Sequence, residues 1–219
     1  DDASEALENA YVRMQYDVYD LLVKDGVSLT MKNIHNMVDY VSFKSIKKAI
    51  ENMKDVGSWN PNCDDASKAL EKAYRYQNYD VCDLLVQERV SLTMKNIYNM
   101  VYYIQFESIK QAIQNMKDNG NWDPKCDDAS KAFENAYGHR KYDVCDLLFQ
   151  EGISLTMKNL PHVVYILSLK SVKKLMQHLK DTGNWDSECD DVSKALENAY
   201  RHQRYDVCDL LVQEGVLQT

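Results

Sequence analysis

Cysteine, histidine, tyrosine and aspartate are the residues through which this chain could do chemistry, and most of them recur at a single spacing. Six cysteines stand at Cys63, Cys82, Cys126, Cys145, Cys189 and Cys208, alternately 19 and 44 positions apart. Tyr11, Tyr74, Tyr137 and Tyr200 form one row and Tyr16, Tyr79, Tyr142 and Tyr205 another, each at 63-residue steps. A structural zinc site needs paired ligands at short separation. The chain has no C-x-x-C, and His139 and His202 follow Cys126 and Cys189 by 13 residues with no second ligand beside them. Asp123, Asp127 and Asp128 lack the glycine and the spaced carboxylates of a calcium loop. Nucleophile elbow, phosphate loop and glycine-rich nucleotide turn are all missing. A residue type copied into every unit is also poor catalytic material, because one active site does not need four copies of itself. The sequence therefore predicts no catalytic residue, no cofactor and no metal.

The cysteines leave two states open. Pairing Cys63 with Cys82, Cys126 with Cys145 and Cys189 with Cys208 would place the protein outside the cell. Reduced, core-packing thiols are the other reading. In an antiparallel hairpin the partners of each pair lie near opposite ends, on the order of 10 Å apart along the axis at 1.5 Å per residue. A bridge tolerates about 7 Å between Cα atoms. No asparagine heads an N-x-S/T sequon. Both points favour an intracellular home, with secretion as the consequence of bridging.

The elements that position these residues come from a repeat. Asp1-Asp2-Ala3-Ser4 returns as Asp64-Asp65-Ala66-Ser67, Asp127-Asp128-Ala129-Ser130 and Asp190-Asp191-Val192-Ser193, and YDVYDLL from Tyr16 returns as YDVCDLL from Tyr79, Tyr142 and Tyr205. Self-similarity at such a period marks a stacked array. One array over residues 1–219 is expected, with units 1–63, 64–126, 127–189 and a partial 190–219. Each unit divides into two helical hairpins. The first has helices near Ala3–Met14 and Asp17–Asp25, with Ala6, Leu7, Ala10, Tyr11 and Met14 at helical steps, Asp1-Asp2 at the cap and Gly26 at the C-terminal turn. Arg89 replaces that glycine in the second unit. The second hairpin follows a Ser-Leu-Thr link and spans Met31–Val41 and Phe43–Asp55, closed by Gly57 and a turn segment that Trp59, Trp122 and Trp185 anchor. The reading is all-α: an α-solenoid of about seven stacked helix-turn-helix repeats.

At 45% hydrophobic and 27% charged residues the composition is that of a folded protein. A net charge of −8 and a pI near 5.1 argue against a nucleic-acid surface. No run of 18 apolar residues predicts a membrane span. The chain opens on Asp1 without methionine, so a processed or excised N-terminus is expected and compartment is not read from it.

The first hairpin of each unit resembles an ankyrin repeat. The stretch SKALENAYRHQRYDVCDLLVQEGV from Ser193 has that family's small residues on helix one and its leucine pair, two polar residues and glycine on helix two. The Thr-Pro-Leu-His opening is absent, with Ser67-Lys68-Ala69-Leu70 in its place, and the Ser-Leu-Thr link is too short for a β-finger. Units ending in Met-Lys-Asp-x-Gly are also similar to tetratricopeptide and pentatricopeptide α-hairpins. The ankyrin resemblance implies a non-catalytic scaffold for protein partners. A secreted, disulfide-stabilised structural or defence protein that self-associates is the alternative.

Positions at which the units differ are free of the demands of stacking. They cluster in the turn of the first hairpin (Arg13, Tyr76, His139, Arg140, His202) and on the second hairpin (His35, Asp39, Tyr98, Tyr102, Tyr165). Tyrosine and arginine are common interface anchors, so these ten residues are the expected partner-binding surface, against neutral drift. Leu7, Tyr11, Leu210 and Leu211 sit in ordinary repeat phrases near the two ends, which predicts either flanking segments or end-to-end self-association.

Overall fold

The computed structural model describes residues 2–215. Among them are fourteen α-helices and no strand, and the helices pair into seven hairpins. Four hairpins are of the first type: α1 (Asp2–Val12) with α2 (Tyr16–Lys24), α5 (Asp64–Arg75) with α6 (Tyr79–Gln87), α9 (Asp127–Gly138) with α10 (Tyr142–Gln150), and α13 (Asp190–Arg201) with α14 (Tyr205–Gln213). Three are of the second type: α3 (Met31–Met37) with α4 (Phe43–Asp55), α7 (Met94–Met100) with α8 (Phe106–Asp118), and α11 (Leu160–Val163) with α12 (Leu169–Asp181). The chain divides into two compact units, Asp1–Trp122 and Asp123–Thr219. Within each, neighbouring hairpins pack on one another, as in a helical-repeat solenoid.

Burial follows the helical period. In α5, Ala66, Ala69, Leu70 and Ala73 are buried, a stripe at three- and four-residue steps. Its three alanines let partner helices approach closely. The long helix of each second-type hairpin is buried through Ile46, Ala49, Ile50 and Met53 in α4 and their counterparts in α8 and α12.

Three local expectations are corrected. The acidic pairs do not occupy the capping position: Cys63, Cys126 and Cys189 do, in extended backbone, and Asp64-Asp65, Asp127-Asp128 and Asp190-Asp191 fill the first helical turn, where they oppose the dipole. Of the corresponding pair in the first unit, Asp1 lies outside the described residues. The first helix of the second hairpin ends at Met37 instead of Val41. It starts as a capping box in which Asn33 Oδ1 accepts from the Thr30 backbone N–H at 2.7 Å and its hydroxyl at 2.8 Å. In the third repeat Pro161 takes the position of His35 and Tyr98. Proline has no N–H for the carbonyl four residues back, and the helix breaks into a 3₁₀ turn over Met157–Asn159 followed by the four-residue α11.

The turn inside the first-type hairpin has one geometry throughout. Met14, Gln77, Arg140 and Gln203 all adopt positive φ, 56° to 58°. The next residue donates to the alanine five positions back in every copy: Gln15 to Ala10, Asn78 to Ala73, Lys141 to Ala136 and Arg204 to Ala199, at 2.8–2.9 Å. This is a Schellman closure, built four times without glycine. Arg89 likewise takes φ 61° where Gly26 and Gly215 take 80° and 87°. The cap geometry is retained when its glycine is lost. Left-handed backbone costs a side-chain-bearing residue about 1–2 kcal/mol, partly offset by the larger entropy glycine loses on folding. Gln77→Gly is therefore expected to raise stability by about 0.5–1 kcal/mol, read as a higher urea midpoint at unchanged slope.

Candidate functional site

Two unlike seams join the hairpins. Where a second-type hairpin follows a first-type one, an aromatic ring is clasped. Tyr40 stacks on Tyr16 at 4.5 Å with an interplanar angle of 6° and meets Tyr11 edge-on at 6.3 Å. Tyr103 repeats this, stacked on Tyr79 at 4.6 Å and edge-on to Tyr74 at 6.1 Å. In the second compact unit Ile166 stands in that register, and Tyr165 takes over by bonding hydroxyl to hydroxyl with Tyr137 at 2.7 Å and lying 6.5 Å from Tyr142. The tyrosines form separate clasps, one per complete repeat.

The same seam carries a carboxylate. The aspartate of the YDVxDLL phrase faces the start of the second hairpin's long helix: Asp146 Oδ1 accepts from the Ser168 backbone N–H and hydroxyl, both at 3.1 Å, while the hydroxyls of Ser45 and Ser108 favour the ionised forms of Asp20 and Asp83. Asn52 and Asn115 donate to the Val23 and Val86 carbonyls at 3.5 and 2.9 Å, satisfying the last turn of α2 and α6. The opposite seam uses other chemistry. Lys54 pairs with Glu88 at 2.9 Å and Lys180 with Glu214, and Asn78 and Arg204 donate to the Val38 and Leu167 carbonyls.

The expected surface residues separate into groups. In the first compact unit Tyr76, Tyr98 and Tyr102 are exposed, and Tyr102 meets Tyr103 edge-on at 3.9 Å. Beside them a groove of about 220 Å³ runs between α5 and α7, lined by Leu70, Glu71, Tyr74, Arg75, Lys95, Asn96, Asn99 and Met100. Arg13 is exposed in the first turn. Asp39 is removed from the candidate surface: its side chain is 3% exposed and pairs with Lys72 at 2.5 Å. Lys72 also lies 5.8 Å from the Tyr11 and Tyr40 rings, within cation–π range. His35 is half-buried, and burial, then the Lys72 charge, hold its imidazole below the usual range. In the second unit His202 stacks on Tyr165 at 4.1 Å, with Arg140 near the same phenol, and both His139 and Arg140 are exposed. Tyr165 is a packing residue as much as a surface one. Lys72 and Lys95 were not singled out by variation between repeats, while Arg75 lies in the variable turn beside Tyr76. Tyr40 and Tyr103, one period apart, carried the available signal.

The phenols are not set up to ionise. Asp39 and then Tyr16 push Tyr40 up to about 12, burial and then Tyr103 push Tyr79 up to about 12, and burial with the Tyr137 bond does the same to Tyr165. The cysteines are free thiols, and burial raises Cys82 and Cys145 to about 12, which suits packing and not nucleophilic attack. Among the described residues no cluster of three or more His, Cys, Asp or Glu could hold a metal ion, and no helix is long and apolar enough to cross a membrane. What the edge of the first unit can do is present phenol rings, donors and fixed charges around a groove of mixed polar and apolar lining. Comparison with protein-family models, curated proteins and solved structures finds no match for this chain.

Two repeat-equivalent carboxylates differ in their surroundings. Burial pushes Asp20 up, but bonds from Lys24, at 2.6 Å, and Ser45 outweigh it and lower its value. At Asp83, Gln87 replaces the lysine and burial raises the value; Oδ1 is buried without a hydrogen bond in both residues. A lowered folded-state value contributes stability above the unfolded value that is lost as pH falls through the folded one; a raised value opposes folding above 3.8 and the opposition disappears below it. Carboxyl carbon NMR should show Asp83 titrating above Asp20. Gln87→Lys should lower Asp83 and raise neutral-pH stability by about 0.3–0.5 kcal/mol.

Proposed function

We propose that this protein is a non-catalytic scaffold of degenerate ankyrin-like type that binds a protein partner through the tyrosine-lined edge of its first compact unit. The observation that carries this reading is the exposure of Tyr76, Tyr98, Tyr102 and Tyr103, at 54%, 37%, 36% and 42%, around the groove between α5 and α7. Tyrosine supplies large amphipathic contact area at low entropic cost, and such residues dominate interface energetics. Tyr98 and Tyr102 stand at positions where the repeats differ, which stacking alone does not require. The flanking Glu71, Arg75 and Lys95 supply charges of both signs for partner choice. Six free thiols on the unreduced protein would agree with an intracellular scaffold, and none would agree with a bridged, secreted structural protein.

Capture from the native source followed by mass spectrometry yields candidate partners, and affinity for a confirmed one tests the surface. Tyr98→Ala with Tyr102→Ala should weaken it by about tenfold or more at unchanged helicity. Unchanged affinity refutes the assignment.

A further inference from the structure

The third repeat lacks two ties that the earlier repeats make across one seam, and a cleft stands where they would lie. In the second repeat Asn115 Nδ2 donates to the Val86 carbonyl at 2.9 Å, and Asn121 Nδ2 donates to Ser91 Oγ and the Leu92 carbonyl, both at 3.3 Å. The first repeat makes the same two ties with Asn52 to Val23 and Ser58 to Leu29, each at 3.5 Å. Together they fasten the Ser-Leu-Thr link, and the hairpin before it, to the end of the long helix. In the third repeat His178 stands at the position of Asn115, and among the described residues its ring bonds no carbonyl. Asn184, the counterpart of Asn121, turns its Nδ2 to Thr182 Oγ1 at 3.0 Å. Pro161 has also broken the helix after the link, and Met157 is half-buried where Met31 and Met94 are buried.

The cleft measures about 570 Å³, with Leu155, Met157 and Leu179 as its apolar surface and Lys158 and His178 exposed on it. A smaller hollow of about 190 Å³ adjoins it through Leu155 and His178 and reaches Phe149, Ile153 and Lys174. There the Lys174 ammonium lies 5.7 Å from the Phe149 ring and donates to the Gln150 carbonyl at 3.4 Å. Such a volume falls among the roughly 300–1,000 Å³ of small-molecule sites, which combine apolar walls with a few placed polar groups. Charge narrows the ligand. Among the described residues no aspartate or glutamate lines either hollow, in a chain whose net charge is −8. We propose that this cleft binds a small amphipathic carboxylate, an apolar chain that ends in one anionic group. The chain lies against Leu155 and Leu179, and the carboxylate meets Lys158 and His178, with Lys174 adding positive charge beside them. A phosphate is a poorer match, because the lining offers neither arginine nor a nest of backbone N–H groups. The site lies wholly within the second compact unit and stands independently of the tyrosine edge of the first.

The probe is octanoate, titrated into the full chain and followed by amide NMR, with octanol and octylamine as neutral and cationic chains of the same length. Octanoate is expected to bind one-to-one and to move the amides of 153–158 and 178–184, with octanol and octylamine weaker by about tenfold or more. Lys158→Gln with Lys174→Gln should weaken octanoate by about tenfold at unchanged helicity. His178→Asn restores the residue of the earlier repeats. It should tie the Phe149 carbonyl again, raise the thermal midpoint and abolish octanoate binding, so that ligand is lost while the fold gains. The proposal is overturned if octanoate leaves the spectrum unchanged, if octanol binds as tightly, or if binding is indifferent to these substitutions. Binding of acetyl-Leu-Glu-Leu-amide at the same amides, with no response to octanoate, would equally overturn it in favour of an acidic segment of a partner protein.

Discussion

Alternation between two unlike hairpins, and the tyrosine clasp that makes them unlike, governs most of what this fold does. A first-type hairpin is gripped differently on its two sides: phenol rings and an aspartate on one, lysine–carboxylate pairs and carbonyl-bound side chains on the other. Neither side matches a copy of itself. A hairpin of one type must therefore be followed by the other, which is why the sequence period is about twice the hairpin length. Each clasped ring also orders its neighbours. Tyr40 lies against Tyr16, Tyr11 and the Lys72 ammonium together, and Lys72 in turn neutralises the buried Asp39. An ion pair so placed adds little net stability over apolar residues of similar size, but breaking it by removing one partner is costly. The pair is private to the first repeat, since later repeats carry Tyr102 and Tyr165 at the position of Asp39.

The hairpins hold this arrangement through backbone geometry that the side chains do not prefer. Four Schellman turns place non-glycine residues at positive φ, each closing on the carbonyl of a buried alanine. Glycine would relax the turn but would remove side chains from the exposed tip, where Arg13, Tyr76, Arg140 and their neighbours cluster. Strain retained at positions of variable identity fits a surface kept for contact with something else. The same edge in the first compact unit carries the exposed tyrosines and the α5–α7 groove, so fold and proposed function meet at the hairpin tips.

Much of this was legible from periodicity alone. The 63-residue repeat and the three- and four-residue apolar steps specify seven helical hairpins, and α4 runs over Phe43–Asp55 as read from the sequence. Helix ends were less legible. Cysteine at the capping position has no strong preference to announce it, and Asp64-Asp65 looks like a cap until the backbone shows it one residue too late. The effect of Pro161 on α11 follows from its missing N–H, yet the sequence pattern still scans as helix through it. At the surface, variation between repeats found Tyr76, Tyr98 and Tyr102 but also Asp39, which varies because its buried partner Lys72 does. Variation marks release from the common packing; it does not distinguish a surface position from a private buried pair. The clasp rings Tyr40 and Tyr103 do not read as a repeating row, because Ile166 stands in their register in the third repeat.

The account rests on the clasp coupling two hairpins energetically and not merely bringing rings together. A double-mutant cycle on Tyr79 and Tyr103 in the full chain, each replaced by leucine singly and together, measures this directly through denaturant unfolding. Stacked rings at 4.6 Å predict a coupling of about 0.5–1.5 kcal/mol beyond the area each residue buries. Additive single effects, with coupling indistinguishable from zero, would contradict it.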